Sequence, residues 1–358
     1  MLFVSYAAAL GGAERLLLDQ AAALRRPVAL ACPEGPLAVA AREHGHAVWP
    51  LRSRRLELRA SPRDRVAAPL RLAAQAREVR RVVARASPTC VVAWSMRGLL
   101  VAAAAMAGAR ARPLAFAHND LIPSGAVGRL VRLAAGRAEL VIAASQAIAR
   151  DLDPAGTMAV EVVQPGVDLE RFCPATLPDH PSVLVAGALV PWKQLDVALE
   201  IVALARRELP GLTVAIAGEP LGDTGRLLQE HLERRAAEPD LDGSVRLLGP
   251  VADMPAALAR ATCLLHCADR EPFGLVLAEA LAVGRPVVAP GAFGPIEIVD
   301  DTCGRLYEPG DIPAAAAALV DALSRAGELS GPARTRAVRH FGAPASGERF
   351  GALIGTLA

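Results

Sequence analysis

TCLLHCADREPFGLVLAEALAVGRPVVAP, Thr262 to Pro290, reads as strand, turn, helix and strand again. Cys263–His266 and Pro286–Ala289 are apolar runs of strand length. Between them, Gly274–Val283 spaces its leucines and valines as a helix does. A strand that returns through a helix to a second strand is paired parallel, since an antiparallel partner would need only a tight turn.

Outward from this unit the alternation repeats. In the second half Val183–Ala186, Thr213–Ala217 and Val245–Leu248 are further strand candidates, with helices at Leu195–Arg207, Gly225–Ala237 and Ala256–Ala261. In the first half the strands are Leu2–Ser5, Val28–Ala31, Cys90–Ala93, Leu114–Ala117, Leu140–Ala143 and Glu161–Gln164, with helices such as Ala13–Leu24 and Ala126–Ala135. Strands alternating with helices predict parallel sheets covered on both faces, an α/β fold built twice. In such folds ligands bind beyond the carboxyl ends of the strands.

Length and charge agree with two domains. The 358 residues exceed what one core usually holds. Residues 1–175 carry 23 arginines against 14 acids, a net +9, and residues 176–358 carry 16 basic against 23 acidic groups, a net −7. The stretch FCPATLPDHPS (Phe172–Ser182), rich in proline and polar residues, is the expected linker, giving domains of 1–174 and 175–341. Of the 39 basic side chains only Lys193 is a lysine. In a chain that uses arginine wherever either would serve, that lysine invites a functional reading.

Composition also excludes classes. No apolar run reaches the ~20 residues of a membrane helix. The opening MLFVSYAAALGGAER has no basic n-region, which argues against a signal peptide and for a cytoplasmic location. Six scattered cysteines with no C-x-x-C pair read as buried reduced thiols. Cys263, His266 and Cys267 are close in sequence, but TCLLHCA reads better as a buried strand end than as a metal site. Aromatics are 3% and no nucleic-acid-binding signature occurs, so no nucleic-acid partner is expected.

Four elements carry chemistry. In EPFGLVLAE, Glu271 stands in a turn after a strand and Glu279 about one turn into the next helix. Phe273, Gly274 and Leu275 lie at that helix's start, where free amides and the dipole favour a phosphate. A carboxylate one turn further in suits a ribose diol; the plain alternative is a capped core helix with incidental glutamates. In GALVPWKQLD, Gly187 ends a buried strand and Lys193 stands just before a helix, within reach of a diphosphate at the same strand ends, or else simply on the surface. GGAER places Gly11 and Gly12 directly after the first strand, where backbone can approach a ligand. AHND puts His118 at a strand end, with Asn119 beside it and Asp120 able to orient it. It could take or orient a proton, or be a satisfied structural histidine. None of the other histidines has such a setting.

In this order the four elements resemble the retaining family-4 glycosyltransferases, over nearly the whole chain. SQAIARDL (Ser145–Leu152), VVQPGVDLERFCP (Val162–Pro174) and GPIEIVDDTCGRLYEPGD (Gly294–Asp311) are similar to family segments as well. The resemblance implies the GT-B fold, two facing Rossmann-like domains with a cleft between them. It implies transfer of a hexose from a GDP- or UDP-sugar to an acceptor hydroxyl, with retention and without a metal or other cofactor. Glu279 would hold the donor's ribose, Glu271 the hydroxyls of the hexose, and Lys193 the departing diphosphate, helped by the amides of Phe273, Gly274 and Leu275. Gly11, Gly12 and Gly187 would line the donor, His118 would sit beside the reacting centre, and Asn119 and Asp120 on the acceptor side. Residues 342–358 would pack back on the first domain. One departure stands out: the family often has an arginine after the strand-end glycine, and here that position is Ala188.

The acceptor is open: a small molecule, a lipid-linked group or a saccharide. Residues 52–85 hold eleven arginines against three acids and suit an amphipathic helix, hence a peripheral contact with anionic membrane or simply a solvated face. Rival activities are a GT-B epimerase, a phosphorylase for which Lys193 is a poor pyridoxal candidate, or a non-catalytic nucleotide-sugar-binding scaffold.

Overall fold

The computed structural model describes residues 1–52, 62–107 and 112–357, with residues 62–67 described by their backbone only. The chain divides into two compact units: Met1–Gly166 together with Ala343–Ala358, and Val167–Gly342. The division falls ahead of the proline-rich stretch Phe172–Ser182.

The first unit holds seven parallel strands: β1 (Leu2–Val4), β2 (Ala29–Pro33), β3 (Ala47–Leu51), β4 (Val91–Trp94), β5 (Leu114–His118), β6 (Leu140–Ala143) and β7 (Val160–Val162). They lie in the order β3-β2-β1-β4-β5-β6-β7. The second unit holds β8 (Ser182–Ala186), β9 (Thr213–Ala217), β10 (Val245–Gly249), β11 (Cys263–Leu265), β12 (Val287–Pro290) and β13 (Gly304–Tyr307), in the order β10-β9-β8-β11-β12-β13. Every pairing is parallel. Both units are therefore Rossmann-like, with the strand order reversing between β1 and β4 and again between β8 and β11. Such switch points are where sheets of this kind bind ligands.

The central strands are apolar throughout because both their faces are covered. Val91–Trp94 and Val287–Pro290 are buried at every position. β3 and β13 lie outside the strands predicted from sequence, and both are edge strands. AVWPL has a proline inside the strand rather than at its end, and GRLY is half polar, and both features break the pattern of an inner strand.

The helix Ala343–Gly355 belongs to the first unit. Ser346 Oγ lies 3.3 Å from Gln20 Nε2 and donates to the Gln164 carbonyl at 2.6 Å. The Phe350 ring sits 6.3 Å from that of Phe3 in the core. Of the arginine-rich stretch 52–85, residues 53–61 lie outside the described residues. The rest forms the helix Pro62–Ala86. Ala76, Val79 and Val82 are buried in the core of the first unit, while Arg77, Arg81 and Arg85 face solvent. The apolar side of this helix is thus used by the fold, and its outer side is cationic.

Candidate functional site

The second unit assembles a charged cluster at its switch point. After β8 the chain passes Gly187 and Ala188 and makes a short 3-10 turn, Pro191–Lys193. Gln194 then adopts a left-handed conformation (φ 51°) and opens the helix Leu195–Ala205. This reversal returns Lys193 to the strand ends, where its stem passes over Gly187: a Cβ there would meet the Lys193 side chain at 3.5 Å. Lys193 Nζ lies 2.5 Å from Glu271 Oε2 and 4.3 Å from the centre of the Trp192 ring. The ammonium is therefore held by a carboxylate and an aromatic face together.

Glu271 itself is buried, 7% exposed. His266 Nε2, just past the end of β11, stands 3.1 Å from the same Oε2, angled away from a good hydrogen bond. Oε1 accepts no hydrogen bond from any described residue. Burial by itself pushes the carboxyl up, and it is the largest single influence. His266 and Lys193 together overcome it and bring the pKa down to about 2. Glu271 is thus a permanent anion, held by one oxygen.

In the sequence His266 stands among the histidines without a functional setting; the structure corrects this by placing it against Glu271. The contact arises because the turn Cys267–Arg270 folds Glu271 back over the end of its own strand, a reversal that strand periodicity does not encode. The carboxylate also pairs with Lys193, whereas the sequence placed the lysine only toward a diphosphate.

Glu271, Phe273 and Gly274 shape the start of the helix Leu275–Ala282. Gly274 caps it at φ 95°, ψ 60°, a left-handed conformation that disfavours other residues, and a Cβ there would press on Leu277 and Glu271. Gly294, in the loop after β12, donates its amide to the Glu271 carbonyl at 2.9 Å. A Cβ on Gly294 would fall 2.3 Å from the Phe273 carbonyl, so only glycine allows the two loops to touch. The first amides of the helix have no partner within it. Phe273 is buried, Leu275 half-buried, and Glu279 half-buried about one turn in. Ala188 is half-buried, and no described arginine pairs with Glu271.

The first unit looks different. His118, the last residue of β5, is 2% exposed, and neither ring nitrogen has a hydrogen-bond partner among the described residues. Burial pushes its pKa down to about 3, so the imidazole is neutral. Its ring stacks on Phe116 with centres 4.9 Å apart. Asp120 does not orient it, contrary to the sequence expectation. Asp120 is exposed and its Oδ1 accepts the next amide, Leu121, at 2.7 Å, the usual local bond of an aspartate in a turn. His118 and the half-buried Asn119 line a small cavity with Gln20, Trp94 and Phe350.

Gly11 and Gly12 are exposed at the start of the helix Gly12–Ala23. The Gly11 amide donates to Glu14 Oε2 at 3.1 Å, so a carboxylate from the first turn already occupies one amide that a phosphate would use. A Cβ on Gly12 would meet nothing within 4 Å.

Five cysteines are buried, but Cys173 is exposed, against the expectation that all six are buried. It sits in irregular chain next to the buried Phe172, whose ring takes the inward position. Among the described residues no three His, Cys, Asp or Glu side chains converge as metal ligands. No helix among them is long and apolar enough to cross a membrane.

Two family descriptions match successive stretches of the chain: Glycosyltransferase Family 4 over residues 10–171 and Glycosyl transferases group 1 over residues 180–325. The chain belongs to the family-4 glycosyltransferases. A D-inositol 3-phosphate glycosyltransferase of Salinispora tropica is 35% identical over 187 residues, 46% of this chain and 38% of that protein. One from Streptomyces scabiei is 34% identical over 60% of this chain and 53% of its own length. The matched stretches thus span less than two thirds of these relatives. The fold is GT-B. The Anabaena protein HepE, crystallised with UDP and glucose, superposes with a TM-score of 0.84 at 24% identity, covering 99% of both chains. The sucrose-phosphate synthase of Thermosynechococcus elongatus gives 0.80 at 19% identity, over 99% of this chain and 98% of that one.

Proposed function

We propose that this protein transfers a hexose from a nucleoside-diphosphate sugar to an acceptor hydroxyl with retention at the anomeric carbon, and that no metal ion takes part. The observation that carries the reading is the Lys193–Glu271–His266 cluster beside the Gly274-capped helix, at the switch point of the second sheet.

The chemistry needs two things of the protein. As the bond between the sugar's C1 and the diphosphate oxygen breaks, its electron pair stays on the diphosphate and C1 becomes electron-poor. The acceptor oxygen bonds C1 on the face from which the diphosphate leaves, and its proton passes to the departing diphosphate oxygen. A cation and free amides aimed at the leaving oxygen lower that barrier. Lys193 supplies a compact cation on a flexible stem, and the first amides of the helix Leu275–Ala282 supply dipoles. Glu279, one turn in, would accept hydrogen bonds from the ribose diol. Glu271 would accept from the sugar's hydroxyls through Oε1, the oxygen that no described residue uses.

In the first unit the burial of His118 favours a hydrogen-bonding role over proton abstraction, because an imidazole with so low a pKa is a poor base. Asn119 and Asp120 follow it on the strand end and would meet the acceptor. The relatives' name supports glycosyl transfer, and the bound molecules of HepE make UDP and UDP-glucose the first probes.

A thermal-shift screen against nucleoside diphosphates and their sugars tests the reading. A ligand at a hundredfold excess over its Kd stabilises by ~2.7 kcal/mol, a shift of several degrees. Stabilisation by one nucleoside diphosphate and its sugar is expected; no shift with any of them overturns the proposal.

A further inference from the structure

Two groups hold the same carboxylate oxygen in very different ways. Lys193 does so from a 3-10 turn, at the end of a four-carbon stem, with Trp192 as a second resting place. His266 does so from the end of a central strand, with its backbone fixed on both sides. Its amide donates to the Val288 carbonyl at 2.8 Å, and its carbonyl accepts the Tyr307 hydroxyl at 3.1 Å. One hold is adjustable and the other is built into the sheet.

On the reading that Lys193 serves the donor's diphosphate, the lysine must leave Glu271, at least in part, when the donor arrives. A buried carboxylate left without a partner is costly and would turn to find one. We propose that His266 is the positioning residue that retains Glu271 at that moment. Its Nε2–H takes over Oε2, so Oε1 keeps its aim at the hexose while Lys193 turns to the diphosphate. The skewed approach of His266 in the donor-free protein fits this role. Lys193 and His266 meet the same Oε2, at 2.5 Å and 3.1 Å, and departure of the lysine leaves that oxygen to the histidine.

The test compares His266→Leu, which removes the donor, with His266→Gln, which keeps an N–H at similar reach. UDP carries the diphosphate and draws Lys193 away as the full donor does, so its binding should weaken several-fold in His266→Leu, where Glu271 is left unpaired, and stay within about threefold of wild type in His266→Gln. Turnover of UDP-glucose should fall at least about tenfold in His266→Leu, chiefly in kcat, and return to within about threefold in His266→Gln. A folded His266→Leu with wild-type turnover overturns the proposal. So does a His266→Gln as slow as His266→Leu, since the ring then matters only as packing. If wild-type protein binds neither UDP nor any other nucleoside diphosphate, the transferase reading itself fails, and the inference fails with it.

Discussion

At the end of β5 the first unit buries a histidine whose ring nitrogens have no hydrogen bond among the described residues; at the ends of β8 and β11 the second unit buries a glutamate between a lysine and a histidine. The two sheets reverse strand order in the same way, and both groups sit at carboxyl strand ends. Burial has therefore been met by opposite means. His118 gives up its charge, and its pKa falls to about 3. Glu271 keeps its charge because two donors meet it, and its pKa falls to about 2 although burial alone would raise it. Topology fixes where a site can form, and the neighbours of the buried group decide whether that site is neutral or charged.

The hardest blow to this contrast is to remove the cation from the charged end. Lys193→Ala should lower turnover by about 10²–10³-fold, the usual cost of losing one donor aimed at a developing anion. Among the described residues it leaves Glu271 with His266 alone, so some loss of Tm is expected. Adding Glu271→Gln removes the leftover charge and should restore the Tm without restoring the rate. A Lys193→Ala enzyme with near-wild-type turnover would mean that the cluster is structural and that the diphosphate is met elsewhere.

A second test separates the two ends by pH. Both groups have folded pKa values below their unfolded ones, so in both cases the unfolded chain binds protons first and stability falls on acidification. The windows differ. The His118 contribution is complete above pH ~6.5 and is lost as pH falls from there toward about 3. The Glu271 contribution is complete above pH ~4.5 and is lost toward about 2. Between pH 7.5 and 5, urea denaturation should show up to about 2 kcal/mol of loss in wild type that is absent in His118→Phe. Glu271→Gln should leave that range unchanged and flatten the curve only below pH ~4.5. If His118→Phe titrates like wild type, the histidine is hydrated in solution and the neutral end of the comparison is wrong.

How much of this could be read beforehand depended on burial. Inner strands such as Val91–Trp94 and Val287–Pro290 are apolar because both faces are covered, so the sequence displays them. Ala47–Leu51 is broken by a proline inside the strand and Gly304–Tyr307 opens on glycine and arginine, so these two edge strands are legible only once the sheet exists. The same divide runs through the site. Glu271, Gly274 and Glu279 are close in sequence and their spacing is visible. The pairing of Lys193 with Glu271 spans three crossovers, and that of His266 with Glu271 depends on how one turn folds back. The one signal that was available for His266 was a polar side chain ending a buried apolar strand, with an acid five residues on.

The mildest test asks whether the glycine pair at the first unit's strand end exists for a ligand. Neither Gly11 nor Gly12 has a positive φ, so the backbone makes no demand for glycine. At Gly11 a Cβ would come within 2.9 Å of Glu14 Oε2, and the amide bond to that carboxylate would suffer. At Gly12 a side chain meets only solvent, and the position is the first of a helix, where alanine restricts the unfolded chain. Gly12→Ala should therefore leave stability unchanged or raise it by about 0.5 kcal/mol in thermal denaturation. Weaker UDP-glucose binding in this equally stable variant would assign the missing side chain to the approach of a ligand. Unchanged binding would make Gly12 an incidental helix start, and the charged end of the second unit would then carry donor recognition without it.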